Sequence, residues 1–288
     1  MNEVKKRILV TGGLGFIGSH LVDKLVKTYT VDVVDDLSTG SADNHNPEAD
    51  YFITDVVSFC KSHDIKYDKI FHLANNARIA RSFEYVEETL LNNYTSTIAL
   101  CEYIRKTNSG HMFFASSSTT EFTDQYNNPY TFSKFVCDDL LEMYRRLFGV
   151  QSSLIKFYNV YGSMREKDLG EHTTVIRKFK QQYLEGSPLT VVGDGSRKRD
   201  FTSVDDTVGG LELLIDKNNH ETDYHLGTGI NVSIIDIAEA FDHPYVLIED
   251  RKYELQDTLC TKQNIAGWQP KDSVIEHIKL WRKENAIS

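Results

Sequence analysis

The feature that most constrains this chain lies in its first 36 residues. The apolar run 8–10 empties into Thr11-Gly12-Gly13-Leu14-Gly15-Phe16-Ile17-Gly18, and Leu21, Val22, Leu25 and Val26 then recur at helical spacing. Strand, glycine turn and helix in that order build the first unit of a nucleotide-binding sheet. Gly12, Gly15 and Gly18 allow a tight turn and let backbone N–H groups approach a pyrophosphate at the positive end of the helix, with Phe16 and Ile17 beside it. A second strand-like run, 31–34, ends at Asp35-Asp36, about the ~20-residue distance expected for a carboxylate on a ribose hydroxyl. A carboxylate accepts from a 2′-hydroxyl and repels a 2′-phosphate, so NAD is expected rather than NADP. The plainer alternative, a structural glycine turn before a solvated acidic loop, leads to the same fold.

Short β-branched or aromatic runs recur at 8–10, 31–34, 51–53, 69–73, 111–115 and 154–157, with amphipathic stretches between most of them. That alternation predicts an α/β fold, a doubly wound parallel sheet of Rossmann type. Two long helices are expected at 86–104 and 130–147, each with a wide apolar face. Beyond Gly162 the alternation loosens into helical stretches at 175–184, 207–215 and 273–283 and a turn at Gly193-Asp194-Gly195. The expected organisation is an NAD-binding domain over 1–162 and a smaller, interleaved C-terminal α/β lobe over 163–288. Because 224–226 is strand-like, the segment near 201–228 is expected to return to the first domain.

The formal net charge of −10 repels a nucleic-acid backbone, and the basic runs Lys5-Lys6-Arg7 and Arg197-Lys198-Arg199 are too short to reverse that field. Cys60, Cys101, Cys137 and Cys260 are widely spaced, which fits neither a metal site nor a disulfide framework. No stretch approaches a membrane span or a signal-peptide apolar region. A cytoplasmic protein is expected, with no metal, membrane or nucleic-acid partner.

Tyr130 and Lys134 stand four residues apart, on one face of the second long helix. A free tyrosine has a pKa of about 10, so a nearby ammonium and a positive nicotinamide are needed to make it a base near neutrality. Upstream, the strand at 111–115 empties into Ser116-Ser117-Ser118-Thr119-Thr120. That is the carboxyl end of a strand, where open α/β sheets bind ligands, and Ser118 is the candidate to orient a sugar hydroxyl. The other hydroxyls read as turn and cap residues.

With Phe71-His72-Leu73-Ala74 and Phe157-Tyr158-Asn159-Val160-Tyr161-Gly162 added, the chain resembles the extended short-chain dehydrogenase/reductase family, particularly its nucleotide-sugar epimerases and dehydratases. The resemblance implies a catalytic set of Ser118, Tyr130 and Lys134, with Lys134 also bonding the nicotinamide ribose. It places Asp55 and Val56 beside adenine, Leu73, Ala74 and Asn75 along the cofactor groove, Asn93 beneath the nicotinamide, and Phe157 in the cofactor site. Asn159, Thr174 and Val175 would hold a sugar nucleotide, most simply a UDP-sugar, and Arg199 and Arg251 its phosphates. It implies a homodimer through the two long helices.

The chain departs from that family where Ser118 and Tyr130 are only twelve positions apart and Phe122-Thr123 replaces a Tyr-Gly pair. Thr119-Thr120 stands where 4,6-dehydratases carry Asp-Glu, and Glu121 is one place beyond the Glu of decarboxylating relatives. The expected activity is therefore epimerisation, by oxidation to a ketosugar and re-reduction, at C4 of a UDP-hexose. A decarboxylase, dehydratase or ketosugar reductase, and a catalytically silent NAD-binding protein, are the alternatives.

Overall fold

A computed structural model describes residues 5–165, 170, 173–216, 223–251 and 255–285. Six strands and six helices form the first half. The strands are Arg7–Thr11 (β1), Thr30–Asp35 (β2), Asp50–Ile53 (β3), Lys69–His72 (β4), His111–Ser117 (β5) and Ser152–Phe157 (β6). The helices are Phe16–Leu25 (α1), Val56–Ser62 (α2), Ile79–Glu84 (α3), Val86–Thr107 (α4), Thr119–Phe122 (α5) and Pro129–Phe148 (α6). After them come Asn159–Tyr161 (β7), Val175–Leu184 (α7), Leu189–Val192 (β8), Lys198–Ser203 (β9), Val204–Leu213 (α8), Asp223–Leu226 (β10), Asn231–Ser233 (β11), Ile234–Ala240 (α9), Tyr245–Ile248 (β12), Asp257–Thr258 (β13) and Val274–Glu284 (α10).

Seven strands make one parallel sheet in the order β10-β6-β5-β4-β1-β2-β3. The expected doubly wound sheet is found, and all six apolar runs are its strands. Strands buried on both faces must be apolar throughout, and Ile8, Leu9 and Val10 are fully buried at its centre. Asp32 on β2 breaks that rule and is compensated by the Arg7 guanidinium at 2.8 Å and the Tyr67 hydroxyl at 2.6 Å.

One apolar core lies between the sheet and α1 and α8; the other lies under α2, α4 and α6. A third gathers Phe179, Leu189, Val191, Ile237, Phe241 and Ile278 from α7, β8, α9 and α10. The long helices appear where periodicity set them, with ends fixed by local chemistry. In α6 Asn128 caps the start by accepting from Thr131 N at 2.8 Å, Pro129 sits in the first turn, and Gly149 ends the helix at φ 69°. Helix α8 begins three residues before the expected 207, because Ser203 accepts from Asp206 N at 3.0 Å. No helix among the described residues is long and apolar enough to cross a membrane, and all four cysteines are free and buried.

Candidate active site

The chain reverses direction in the sheet between β1 and β4, and a crevice opens there beyond the strands' carboxyl ends. It holds a cavity of about 480 Å³, within the range of small-molecule sites, and a smaller one of about 60 Å³. The glycine turn forms the wall common to both. At Gly12, φ is 74° and a Cβ would lie 2.7 Å from Ala74 N; at Gly18 a Cβ would lie 2.1 Å from the Gly12 carbonyl oxygen. Gly15, the N-cap of α1, has only the Gly12 oxygen at 3.2 Å near its Cβ position. A dinucleotide pyrophosphate fits there, against an open backbone and the N-terminus of α1.

Asp35, Asp36, Asp55, Val56 and Ala74 line the smaller cavity; Gly12, Gly15, Leu73 and Asn75 line both. Asp35 also holds the turn itself, accepting from Leu14 N and Leu37 N at 2.9 Å each. Asp36 accepts from Ser38 N at 2.9 Å, and Asp55 caps α2 through Ser58 N at 2.8 Å. The Ser58 hydroxyl and amide bonds hold the Asp55 carboxyl below its usual pKa. Each of the two Asp35 bonds uses a different oxygen, so Asp35→Asn removes the charge and keeps one of the turn's two acceptors. Its NAD-to-NADP affinity ratio should narrow by about tenfold, equivalent to ~1.4 kcal/mol, in paired calorimetric titrations.

The larger cavity collects Phe16, Ile17, Gly18, Ser118, Tyr130, Lys134, Phe157, Asn159, Thr174, Val175, Arg199 and Arg251. Asn93 is not among the lining residues. It is fully buried in α4, where its side-chain oxygen accepts from Asn76 N at 2.8 Å and its amide donates to Ser133 Oγ at 2.8 Å, so it braces the wall from behind. Asn92 lines the smaller cavity instead.

Tyr130 and Lys134 are both buried on the inner face of α6. Hydroxyls run in series from Thr131 to Thr119 at 3.2 Å and on to Ser117 at 3.0 Å, and Ser117 lies close enough to the Tyr130 phenol to act on it. Ser118 heads α5 with its N–H on the Phe157 carbonyl at 3.0 Å. Ser117, which the sequence reads as a turn residue, lines the larger cavity beside Ser118, and no local pattern distinguishes its side chain from its neighbours. Burial raises the Tyr130 pKa; Ser117 and the charge of Arg78 pull it down and do not prevail. Burial also lowers Lys134 to about 8. A positive nicotinamide would act in the same direction as Arg78.

Arg78, Lys178 and Arg197 were not anticipated and line the same cavity. Arg78 stands at the head of α3, a loop position with no motif to flag it. Arg197 grips Asp250 through two 2.6 Å bonds, and Asp250 also accepts from Arg251 N at 2.7 Å. Arg199 donates to the Lys198, Gln256 and Leu255 carbonyls at 3.0, 3.0 and 2.7 Å, which fixes its guanidinium at the rim. No Asp or Glu is among the described residues lining the larger cavity. Glu121 pairs with Lys262 at 3.0 Å instead.

The chain is similar over 94% of its length to a UDP-glucose 4-epimerase of Mycolicibacterium smegmatis, at 30% identity and covering 96% of that protein. It is 29% identical to UDP-glucuronic acid decarboxylase 1 of Arabidopsis thaliana, over 94% of this chain and 67% of that one. Among solved structures, the UDP-glucose 4-epimerase of Thermotoga maritima with UDP-glucose superposes with a TM-score of 0.84 at 28% identity, covering 96% of this chain and 99% of that one. Residues 8–227 match the NAD dependent epimerase/dehydratase family, and the chain belongs to that NAD-dependent enzyme family.

Proposed function

We propose that this protein inverts C4 of a UDP-hexose and keeps NAD through the cycle. The observation that carries this reading is the lining of the larger cavity, with Tyr130, Ser117, Ser118 and Lys134 but no carboxylate among the described residues. Elimination of water needs an acid and a base flanking the sugar, and Thr119-Thr120 offers neither. NAD, when bound, supplies the hydride acceptor and returns the hydride. Tyr130 takes the proton of the sugar hydroxyl and later gives it back, the serines orient that hydroxyl, and Lys134 contributes positive charge. Asn159, Thr174 and Val175 flank the sugar nucleotide, with Arg199 and Arg251 toward its diphosphate.

One observation favours a second reading. The lining carries six cations, Arg78, Lys134, Lys178, Arg197, Arg199 and Arg251, and Arg78 acts on Tyr130 at the reacting end. A sugar with a C6 carboxylate would be attracted there, and its 4-keto form is a β-keto acid that loses CO₂ readily. Incubation with UDP-glucose, UDP-glucuronic acid and the GDP-, dTDP- and CDP-sugars, with products resolved by chromatography, separates the two. Interconversion of UDP-glucose and UDP-galactose without net NADH supports epimerisation; CO₂ with a UDP-pentose overturns it in favour of decarboxylation. No turnover of any sugar leaves the silent binder.

The helices α4 and α6 pack together and leave Leu91 53%, Ile98 38%, Met143 38% and Leu147 69% exposed. Such a face matches the proposed homodimer. Light scattering at micromolar concentration should give about twice the 33.0 kDa chain mass, and Leu91→Glu with Leu147→Glu should return it to the monomer value.

A further inference from the structure

Lys134 is 1% exposed, and its ammonium has three N–H bonds to satisfy. Two are taken within the protein, by the Ala115 carbonyl at 2.5 Å and by Asn75 Oδ1 at 2.6 Å. Ala115 contributes backbone, which any residue there would supply. Asn75 contributes a side chain, and the sequence alone determines that it is an acceptor.

The Asn75 amide has one workable orientation. Turned over, its NH₂ would face an ammonium, donor against donor. As placed, Nδ2 donates to the Ala74 carbonyl at 2.8 Å and lies 3.3 Å from His72 Nε2, so the oxygen points to the lysine. His72 is itself fixed, with Nδ1 2.7 Å from Thr11 Oγ1 and Nε2 3.3 Å from Ser96 Oγ. Burial, then the Lys134 charge, push its pKa down to about 3, so it stays neutral and adds no second cation behind the lysine.

We propose that Asn75 is the positioning residue of Lys134: its carboxamide oxygen clamps the ammonium against β5 and leaves a single N–H directed into the cavity. This inference rests on Lys134 being the partner of Tyr130 in the proposed reaction. The clamp matters because Lys134, with burial the largest influence, is lowered to about 8, which leaves its charge only narrowly secured at neutral pH. A hydrogen-bond acceptor favours the charged form, so losing it lowers the proton affinity further. The titratable groups around the ammonium are Tyr130, Cys137 and Asp138 on α6, Lys156 on β6 and His72 on β4. Substitution at position 75 leaves all of them in place.

The test reads Lys134 directly. In the cofactor-free protein labelled with ¹⁵N-lysine, the Nζ resonance is assigned by its loss in Lys134→Ala and followed through pH. Asn75→Leu keeps the shape and removes the acceptor, and should move the midpoint down by about one unit; Asn75→Asp adds an opposite charge and should move it up by about as much or more. The high-pH limb of kcat/KM on the turned-over sugar should move in the same two directions. A merely structural role would shift neither, or both variants alike. Midpoints within a few tenths of wild type in folded variants overturn the proposal, and if Asn75→Leu fails to fold, Asn75→Asp alone decides. Shifts without turnover of any sugar would retain the clamp and discard the proposed reaction; turnover without shifts would do the reverse.

Discussion

Replacing Tyr130 with phenylalanine is expected to lower turnover about a thousandfold, the scale of a lost general acid–base group. The change deletes one oxygen from a buried residue that lines the larger cavity beside Ser117. It leaves the glycine cradle, Asp35 and the arginine rim untouched. Affinities for NAD and for the UDP-sugar should therefore stay within a few-fold of wild type by calorimetry, with the loss confined to kcat. Turnover within tenfold of wild type would remove Tyr130 as the base and the proposed mechanism with it. A silent binder would show neither activity nor any effect of the substitution on binding.

The second large effect is on stability. Lys156 on β6 is almost wholly buried, and its ammonium contacts Asp138 Oδ2 at 2.6 Å, Thr120 Oγ1 at 2.7 Å and Ser116 Oγ at 3.0 Å. Asp138→Ala strands that charge with two hydroxyls, and breaking one partner of a buried pair costs about 3–5 kcal/mol. For a chain of this size that is a fall in Tm of roughly 10 °C, read by scanning calorimetry. Asp138→Leu combined with Lys156→Met should recover most of it, since apolar groups of similar volume replace such pairs at little net cost. A fall of less than about 2 °C in the single variant would mean the pair contributes nothing. Because Lys156 also anchors both flanks of Ser117 and Ser118, the single variant should lose activity as well.

How much of this was legible in the sequence depends on whether a signal was local. Strands β1, β2, β4, β5 and β6 show as mainly apolar runs, interrupted at Asp32 and Lys156, because both faces of a parallel sheet are covered, and α4 and α6 show through their period. The glycine turn declares itself, since a Cβ at Gly12 or Gly18 would collide with backbone. The short pieces β7, β11 and β13 carry too few residues to show any period; they exist because β9 lies beside them. At the site, spacing brought Tyr130 and Lys134 to one face. It could not separate Ser117 from Ser118, since both line the same cavity where the chain turns into α5. Nor could it pair Asp138 with Lys156 or Asn75 with Lys134. Those partners lie 18 and 59 positions apart and meet only once β4, β5, β6 and α6 are assembled.

Strand β10 carries a consequence for how this chain is made. It pairs with β6 through Leu226↔Phe157, and Val204, Val208 and Leu211 of α8 enter the same core as α1. A nascent chain released only as far as β6 thus has a half-covered apolar sheet whose last strand offers a row of unpaired N–H and C=O groups. Such an edge invites other chains to pair with it until Leu226 emerges to cap it. Chains cut shortly after Gly162 should accumulate in inclusion bodies, whereas a chain ending after Trp268, whose indole N–H bonds the Asp206 carbonyl at 2.8 Å, should leave the ribosome with its large sheet complete.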